Sequence, residues 1–166
     1  MEKLESANLE FKVLRDENLD DLVEILTNDE VCKYLPGEKA YPVEVVKNFL
    51  KHYKNNFSVT TPNLCYGIYE KNKGKLIGYG GVVFVKELNM PEIMYGFNKN
   101  YWNKGYATEA AFRFKELAKE LKLKKLIGLA AINNVASNKI LVKIGYSFIK
   151  QSNLWDTELY MYELIV

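Results

Sequence analysis

The chain has 166 residues, 48% of them hydrophobic and 27% charged, with 23 basic against 21 acidic side chains. That length suits one domain over residues 1–166 with a core of its own, and a net charge of +2 gives no nucleic-acid surface or acidic tail. Two cysteines, Cys32 and Cys65, and one histidine, His52, exclude a zinc site and a disulfide scaffold, though a single Cys32–Cys65 bridge stays open. The amino terminus alternates charges where a signal peptide needs an apolar run, and no stretch reaches the ~20 apolar residues of a membrane span. A cytoplasmic protein with reduced thiols, free of membrane and nucleic acid, is expected.

In chain order, the alternation of Leu9, Phe11 and Val13 predicts a first strand. Asn18 reads as the N-cap of a helix carrying Leu19, Leu22, Val23 and Leu26 at helical spacing. Pro36-Gly37 breaks the chain. Pro42 suits the first turn of a second helix, with Val45, Val46, Phe49 and Tyr53 on one face. Strands are predicted over 65–70, 76–85 and 93–97, the first two joined by a turn in which Gly74 supplies the positive φ. From Tyr106 the period lengthens. Ala107, Ala110, Ala111, Phe114, Leu117, Ala118 and Leu121 share one face of the strongest helix. A buried strand over 126–132, a helix over 135–144 closed by Gly145, and strands over 147–151 and 158–164 complete the chain. The order β-α-α-β-β-β-α-β-α-β-β predicts an α+β or mixed α/β fold.

Gly78-Tyr79-Gly80-Gly81 fails as a dinucleotide fingerprint, because Val83 holds the third glycine position and no helix starts there. These glycines read as easing a bend or bulge in a long strand. The segment from Tyr101 to Ala110 differs, since it leads a strand into the start of the best helix. Unpaired N–H groups at a helix start, the bare Gly105 and Ala107, and the cation of Lys104 suit pyrophosphate. A small-residue helix start packed tightly on the sheet explains the same residues. Asn134, with Ser137 three residues on, is either an N-cap or a projecting amide and hydroxyl.

Together, Tyr101-Trp102-Asn103-Lys104-Gly105-Tyr106-Ala107-Thr108-Glu109-Ala110 and Asn134…Ser137…Lys143-Ile144-Gly145-Tyr146 resemble the GCN5-related N-acetyltransferase superfamily, in its branch similar to the ribosomal-protein amino-terminal acetyltransferases. The resemblance spans nearly the whole chain. It implies a mixed, mostly antiparallel twisted sheet of about seven strands flanked by four helices. It also implies acetyl-CoA as acyl donor, no metal, and acetyl transfer to a primary amine by direct attack in a ternary complex. By position, pyrophosphate meets the N–H groups of Asn103, Lys104, Gly105, Tyr106, Ala107 and Thr108. Pantetheine runs along Tyr95, Gly96 and Phe97, where that strand splays from the one at 127–131, and Asn134 contacts it or a bound water. A backbone N–H there polarises the thioester carbonyl.

Two departures from the family pattern stand out. Asn103 replaces a usual glycine. Leu141 occupies the position where another branch places a proton-donating tyrosine, which leaves Ser137 as the candidate acid. Glu92, at a strand end where a carboxylate is ordinarily solvated, is the candidate base, with Tyr95 as a relay. His52 falls on a rim, and Glu109 braces the loop or complements the helix dipole. Trp102 and Trp155 read as core or pocket wall. The acceptor is a small-molecule amine or a protein amino terminus, in a pocket walled by the two helices between Asn18 and Asn56 and lined by Tyr34, Tyr41, Phe57 and Tyr66. The assembly is a monomer or homodimer. A non-catalytic acyl-CoA-binding sensor or scaffold and a nucleotide-binding protein are the competing readings.

Overall fold

The computed structural model describes residues 4–166. Its strands are β1 (Leu4–Glu5), β2 (Leu9–Val13), β3 (Leu64–Glu70), β4 (Leu76–Val85), β5 (Met90–Phe97), β6 (Lys125–Ala131), β7 (Ser147–Leu154) and β8 (Thr157–Ile165). They form one sheet in the order β1-β2-β3-β4-β5-β6-β8-β7. The helices are α1 (Leu19–Leu26), α2 (Asp29–Cys32), α3 (Val43–Asn55), α4 (Tyr106–Glu120) and α5 (Val135–Lys143).

The mixed, mostly antiparallel sheet is the one expected, with eight strands instead of seven and five helices instead of four. The additions are β1, two residues long, and α2, a single turn capped by the Asn28 side chain, which accepts from the Glu30 N–H at 3.0 Å. Neither is long enough to show a period in the sequence.

Local chemistry sets the boundaries. In the turn between β3 and β4 the left-handed residue is Asn72 (φ 61°), whereas Gly74 keeps a negative φ. Asn tolerates that region through its short polar side chain. Pro42 is the N-cap of α3, one position ahead of its first turn. α4 ends with Lys122 at φ 57° and the Leu123 N–H bonded to the Ala118 carbonyl at 3.0 Å. α5 ends the same way through Gly145 (φ 104°) and a 3.0 Å bond from the Tyr146 N–H to the Leu141 carbonyl.

β5 begins at Met90, so Pro91 lies inside the strand, opposite Phe84. The Asn98 N–H bonds to the Ile77 carbonyl at 2.9 Å. Alternation along the continuous β4–β5 register then makes Phe84 and Pro91 a non-hydrogen-bonded pair. The missing proline N–H therefore costs β4 no bond.

Two apolar layers cover the sheet. On one face Phe11, Tyr66, Ile68 and Phe97 pack with Ala110, Phe114 and Leu117 of α4 and Leu141 of α5. On the other, Leu14, Cys65, Tyr79 and Val83 pack with Leu22 and Ile25 of α1 and Val46 and Leu50 of α3. Cys32 and Cys65 are both free and buried. Among the described residues, no helix is long and apolar enough to cross a membrane.

Phe114 is fully buried, edge-on to Phe11 at 5.2 Å, while Phe112 on the same helix is 42% exposed. Phe114→Ala is expected to cost about 3–5 kcal/mol in a urea titration, and Phe112→Ala less than about 0.5.

Candidate active site

Every neighbouring pair in the sheet is antiparallel except β5 and β6, which run parallel and pair at one position, Glu92 with Ile127. Beyond it the strands part. Alternation from the Asn98–Ile77 bond turns the main-chain N–H and C=O groups of Tyr95 and Phe97 away from β4, toward the gap. The expected splay thus falls beside Tyr95, Gly96 and Phe97.

The loop at the end of β5 is built to present its backbone. Asn98 caps a short 3₁₀ turn, Lys99–Tyr101, by accepting from the Asn100 N–H at 3.0 Å, and its amide donates to Glu24 at 2.8 Å. The Trp102 indole N–H donates to the Phe97 carbonyl at 3.0 Å. Asn103 (φ 60°) and Gly105 (φ 81°) both take the left-handed conformation. The departure at Asn103 therefore leaves a glycine-like backbone in place, because asparagine is the residue after glycine that bears it best.

The first helical bond of α4 is from the Glu109 N–H to the Gly105 carbonyl, at 3.0 Å. The N–H groups of Asn103, Lys104, Gly105, Tyr106, Ala107 and Thr108 have no partner among the described residues. A Cβ on Gly105 would meet nothing within 4 Å, so the loop faces open space. Lys104 lies over the Tyr101 ring, 5.1 Å from its centre. Unpaired amides, the dipole of a long helix and a nearby cation make this corner anion-binding in character.

Across the gap, Asn134 is the N-cap of α5 and accepts from the Ser137 N–H at 3.1 Å. Its side-chain NH₂ has no partner among the described residues. The Ser137 hydroxyl lies 3.1 Å from the Tyr95 hydroxyl, so these two residues bridge the walls of the gap. Burial pushes the Tyr95 phenol up to about 12, against the opposing pull of the Ser137 hydrogen bond.

Glu92 stands where the strands part, on the α3 face opposite Val83. It is no solvated strand-end carboxylate. It is half-buried, makes no hydrogen bond or ion pair among the described residues, and desolvation raises its pKa to about 8.

Leu141 is buried against the β6 backbone, where a Cβ on Gly128 would meet its Cδ2 at 2.7 Å. No hydroxyl replaces the absent tyrosine from that position. Two hydroxyls approach instead from Tyr95 and Tyr146, and the Tyr146 phenol reaches the Ile127 carbonyl at 3.5 Å. Nothing local singles out Tyr146, whose ring reads as the apolar cover of a helix end. Asn138 is a second addition. Its amide donates to the Ala131 and Asn134 carbonyls at 3.0 and 2.8 Å and accepts from the Tyr162 hydroxyl at 2.7 Å, fixing the far wall of the gap. An Asn one turn after an N-cap is the available signal, and it is a weak one.

Other expected residues fall elsewhere. Glu109 braces the turn before β2, accepting from Ser6 Oγ and the Asn8 N–H, each at 2.6 Å. Burial pushes its pKa up, but these hydrogen bonds outweigh it and hold the carboxyl below the usual range. Tyr66 and Phe57 pack edge-on at 5.2 Å in the α4 layer, on the opposite face from Tyr41, so they do not line a common pocket with it. Trp102 packs against both layers. Trp155 is 40% exposed in the β7–β8 turn, outside the core, and donates to Glu87 at 3.1 Å. His52 is exposed, as a rim residue should be.

Known proteins share this fold. Residues 8–147 match the family model described as an acetyltransferase (GNAT) domain. An uncharacterized N-acetyltransferase of Bacillus subtilis, YnaD, is 31% identical over 147 residues, 82% of each chain. Among solved structures, a GNAT-family acetyltransferase from Bacillus anthracis superposes with a TM-score of 0.82 at 23% identity, covering 98% of each chain. A ribosomal-protein alpha-N-acetyltransferase, RimL, solved with coenzyme A, gives 0.80 at 14% identity over 99% of this chain and 98% of that one. The chain belongs to the GNAT acetyltransferase family and is an N-acetyltransferase.

Proposed function

We propose that this enzyme takes its acetyl group from acetyl-CoA and delivers it to a primary amine by direct attack in a ternary complex. The observation that carries this reading is the gap between β5 and β6, which runs from the Glu92 carboxyl to the unpaired amides before α4. An extended chain with amides along its length and a diphosphate at its end fits that shape. RimL was solved with coenzyme A, and another fold neighbour, a self-immunity acetyltransferase, with acetyl-CoA and AMP.

Acetyl-CoA supplies an activated acyl group as a thioester. The amides of residues 103–108 hold its diphosphate. The main-chain groups of Tyr95, the Phe97 N–H and the free side-chain NH₂ of Asn134 pair with the pantetheine amides, the Phe97 carbonyl being held by Trp102. Glu92 takes the proton of the acceptor amine, directly or through a water. The bridged hydroxyls of Ser137 and Tyr95 hold a proton beside the leaving sulfur. A thiol pKa near ~8.5 makes that donation helpful without making it indispensable. The acceptor is a small-molecule amine or a protein amino terminus, approaching from the α3 face on which Glu92 lies.

Calorimetric titration with acetyl-CoA, then mass spectrometry of a panel of amines, tests the reading. Binding without acetylation of any amine would favour an acyl-CoA sensor or scaffold instead. Gly105→Glu is expected to weaken CoA binding at least ~100-fold, by placing a carboxylate before the amides and straining a positive φ. Ser137→Ala should lower kcat more than it weakens CoA binding; an unchanged kcat removes Ser137 from the chemistry.

Glu92 acts as a base only when ionised, so kcat/KM should climb with pH and level off above about 8. Glu92→Gln should abolish that limb. The same group links stability to pH. Its folded pKa is raised, so its stabilising contribution is complete below the ordinary carboxylate range and is lost as pH rises through about 8. Glu92→Gln should therefore gain stability relative to the wild type as pH rises from about 5 to about 8, at up to about 1.4 kcal/mol for each step of one in pH. Melting curves of the two proteins across that range check it. A constant difference would mean that Glu92 is not desolvated.

A further inference from the structure

We infer that Tyr79 selects the acceptor, its hydroxyl binding a hydrogen-bonding group that the amine substrate carries some distance from its nitrogen. This deepens the acetyl-transfer reading and rests on it. Tyr79 lies on β4 directly opposite Gly96 of β5. A Cβ on Gly96 would stand 2.6 Å from both Cζ and the hydroxyl oxygen of Tyr79. The phenol thus crosses β5 at a position where no side chain blocks it, and its polar end lies over the strand that borders the gap.

Tyr79 is 3% exposed, yet its hydroxyl has no hydrogen-bond partner among the described residues. The sealed side-chain polar atoms among them that lack a hydrogen bond do not include the Tyr79 hydroxyl, so the residue's small remaining exposure takes it in. A buried tyrosine ordinarily satisfies its hydroxyl within the protein. Here the ring is fixed and the hydroxyl is left without a partner.

Its surroundings describe a ligand. Glu92, Met94 and Gly96 alternate onto the α3 face of β5. The Tyr53 hydroxyl meets Met94 Sδ at 3.8 Å, a weak acceptor. The Phe49 ring packs edge-on against Tyr53 at 4.8 Å and against Tyr79 at 5.1 Å. Glu92, Met94, Tyr53 and Phe49 are all half-buried, so α3 does not fully cover this face of β5. A carboxyl, a hydroxyl and a second hydroxyl therefore follow one another along this face, in steps of roughly 7 Å. An amine held at Glu92 would need a carbonyl or hydroxyl roughly 7–13 Å away to reach Tyr79. A simple alkylamine offers nothing there.

The test uses the full chain labelled with ζ-¹³C tyrosine and loaded with CoA, the Tyr79 resonance being assigned by Tyr79→Phe. Titration with trialanine should move that resonance, and n-butylamine should not. In turnover, Tyr79→Phe should lower kcat/KM for trialanine by about tenfold while leaving n-butylamine within about twofold, with CoA affinity unchanged. A Tyr79 resonance that ignores trialanine, or follows both amines alike, overturns the inference, as does an equal loss with both in turnover. Failure of the wild-type protein to bind CoA appears before any amine is added, and it overturns the acetyl-transfer reading together with this one.

Discussion

A single backbone pairing, Glu92 with Ile127, joins the two halves of the sheet. Had β5 and β6 stayed paired along their length, the hydrogen-bonding groups of Tyr95 and Phe97 would be consumed by the neighbouring strand. Backbone donors and acceptors inside a sheet are seldom left without partners, because each unmade bond is costly. A sheet interior that stops pairing midway is therefore open to completion by an extended chain, as in the proposed position of the cofactor. The walls are held at their spacing by side chains: Leu141 sits on Gly128, Asn138 ties α5 to β6 and β8, and the Tyr95–Ser137 bridge spans the gap.

The same junction explains the electrostatics of the site. Glu92 stands half-buried where the strands part, and among the described residues no cation or donor replaces the water it loses. Its neutral form is favoured in the fold, which costs stability once the group ionises. Two other acids are satisfied within the protein. Glu24 takes Lys75 and Asn98, and Glu109 takes Ser6 and Asn8. The contrast sets Glu92 apart from these paired acids.

Elements with a long period were legible in the sequence. α4 follows from its alanine-faced stripe, β4 from an uninterrupted apolar run whose bounds match, and the close of α5 from Gly145. The unpaired N–H groups before α4 were legible, since small residues lead there into the start of a strong helix. What escaped depends on contacts between distant segments. Nothing local says that Tyr66 and Tyr41 take opposite faces of the sheet, because a strand face is fixed only by register. Trp155 reads as core by hydrophobicity, yet a two-residue turn (φ 54° and 56° at Trp155 and Asp156) holds it at the surface. Gly96 is the clearest case. In sequence it is one glycine in a strand, and only the partner strand shows that it clears a path for Tyr79.

In the proposed reaction the layout would also separate the two proton transfers that amide formation requires. The base candidate lies on the α3 face of β5, and the hydroxyl pair Tyr95–Ser137 lies on the face covered by α4 and α5. Neighbouring residues along a strand point to opposite faces, so Glu92 and Tyr95, three apart, fall on opposite sides by parity alone. A proton taken from the amine on one side need not cross to the sulfur on the other. This also explains how Leu141 is tolerated. In the proposed reaction the Tyr95 hydroxyl would reach from the strand the sulfur that a tyrosine at position 141 would reach from the helix. Leucine at that position is then free to do what its burial against Gly128 shows it doing, which is to pack β6 against α5 and keep the far wall of the gap in place.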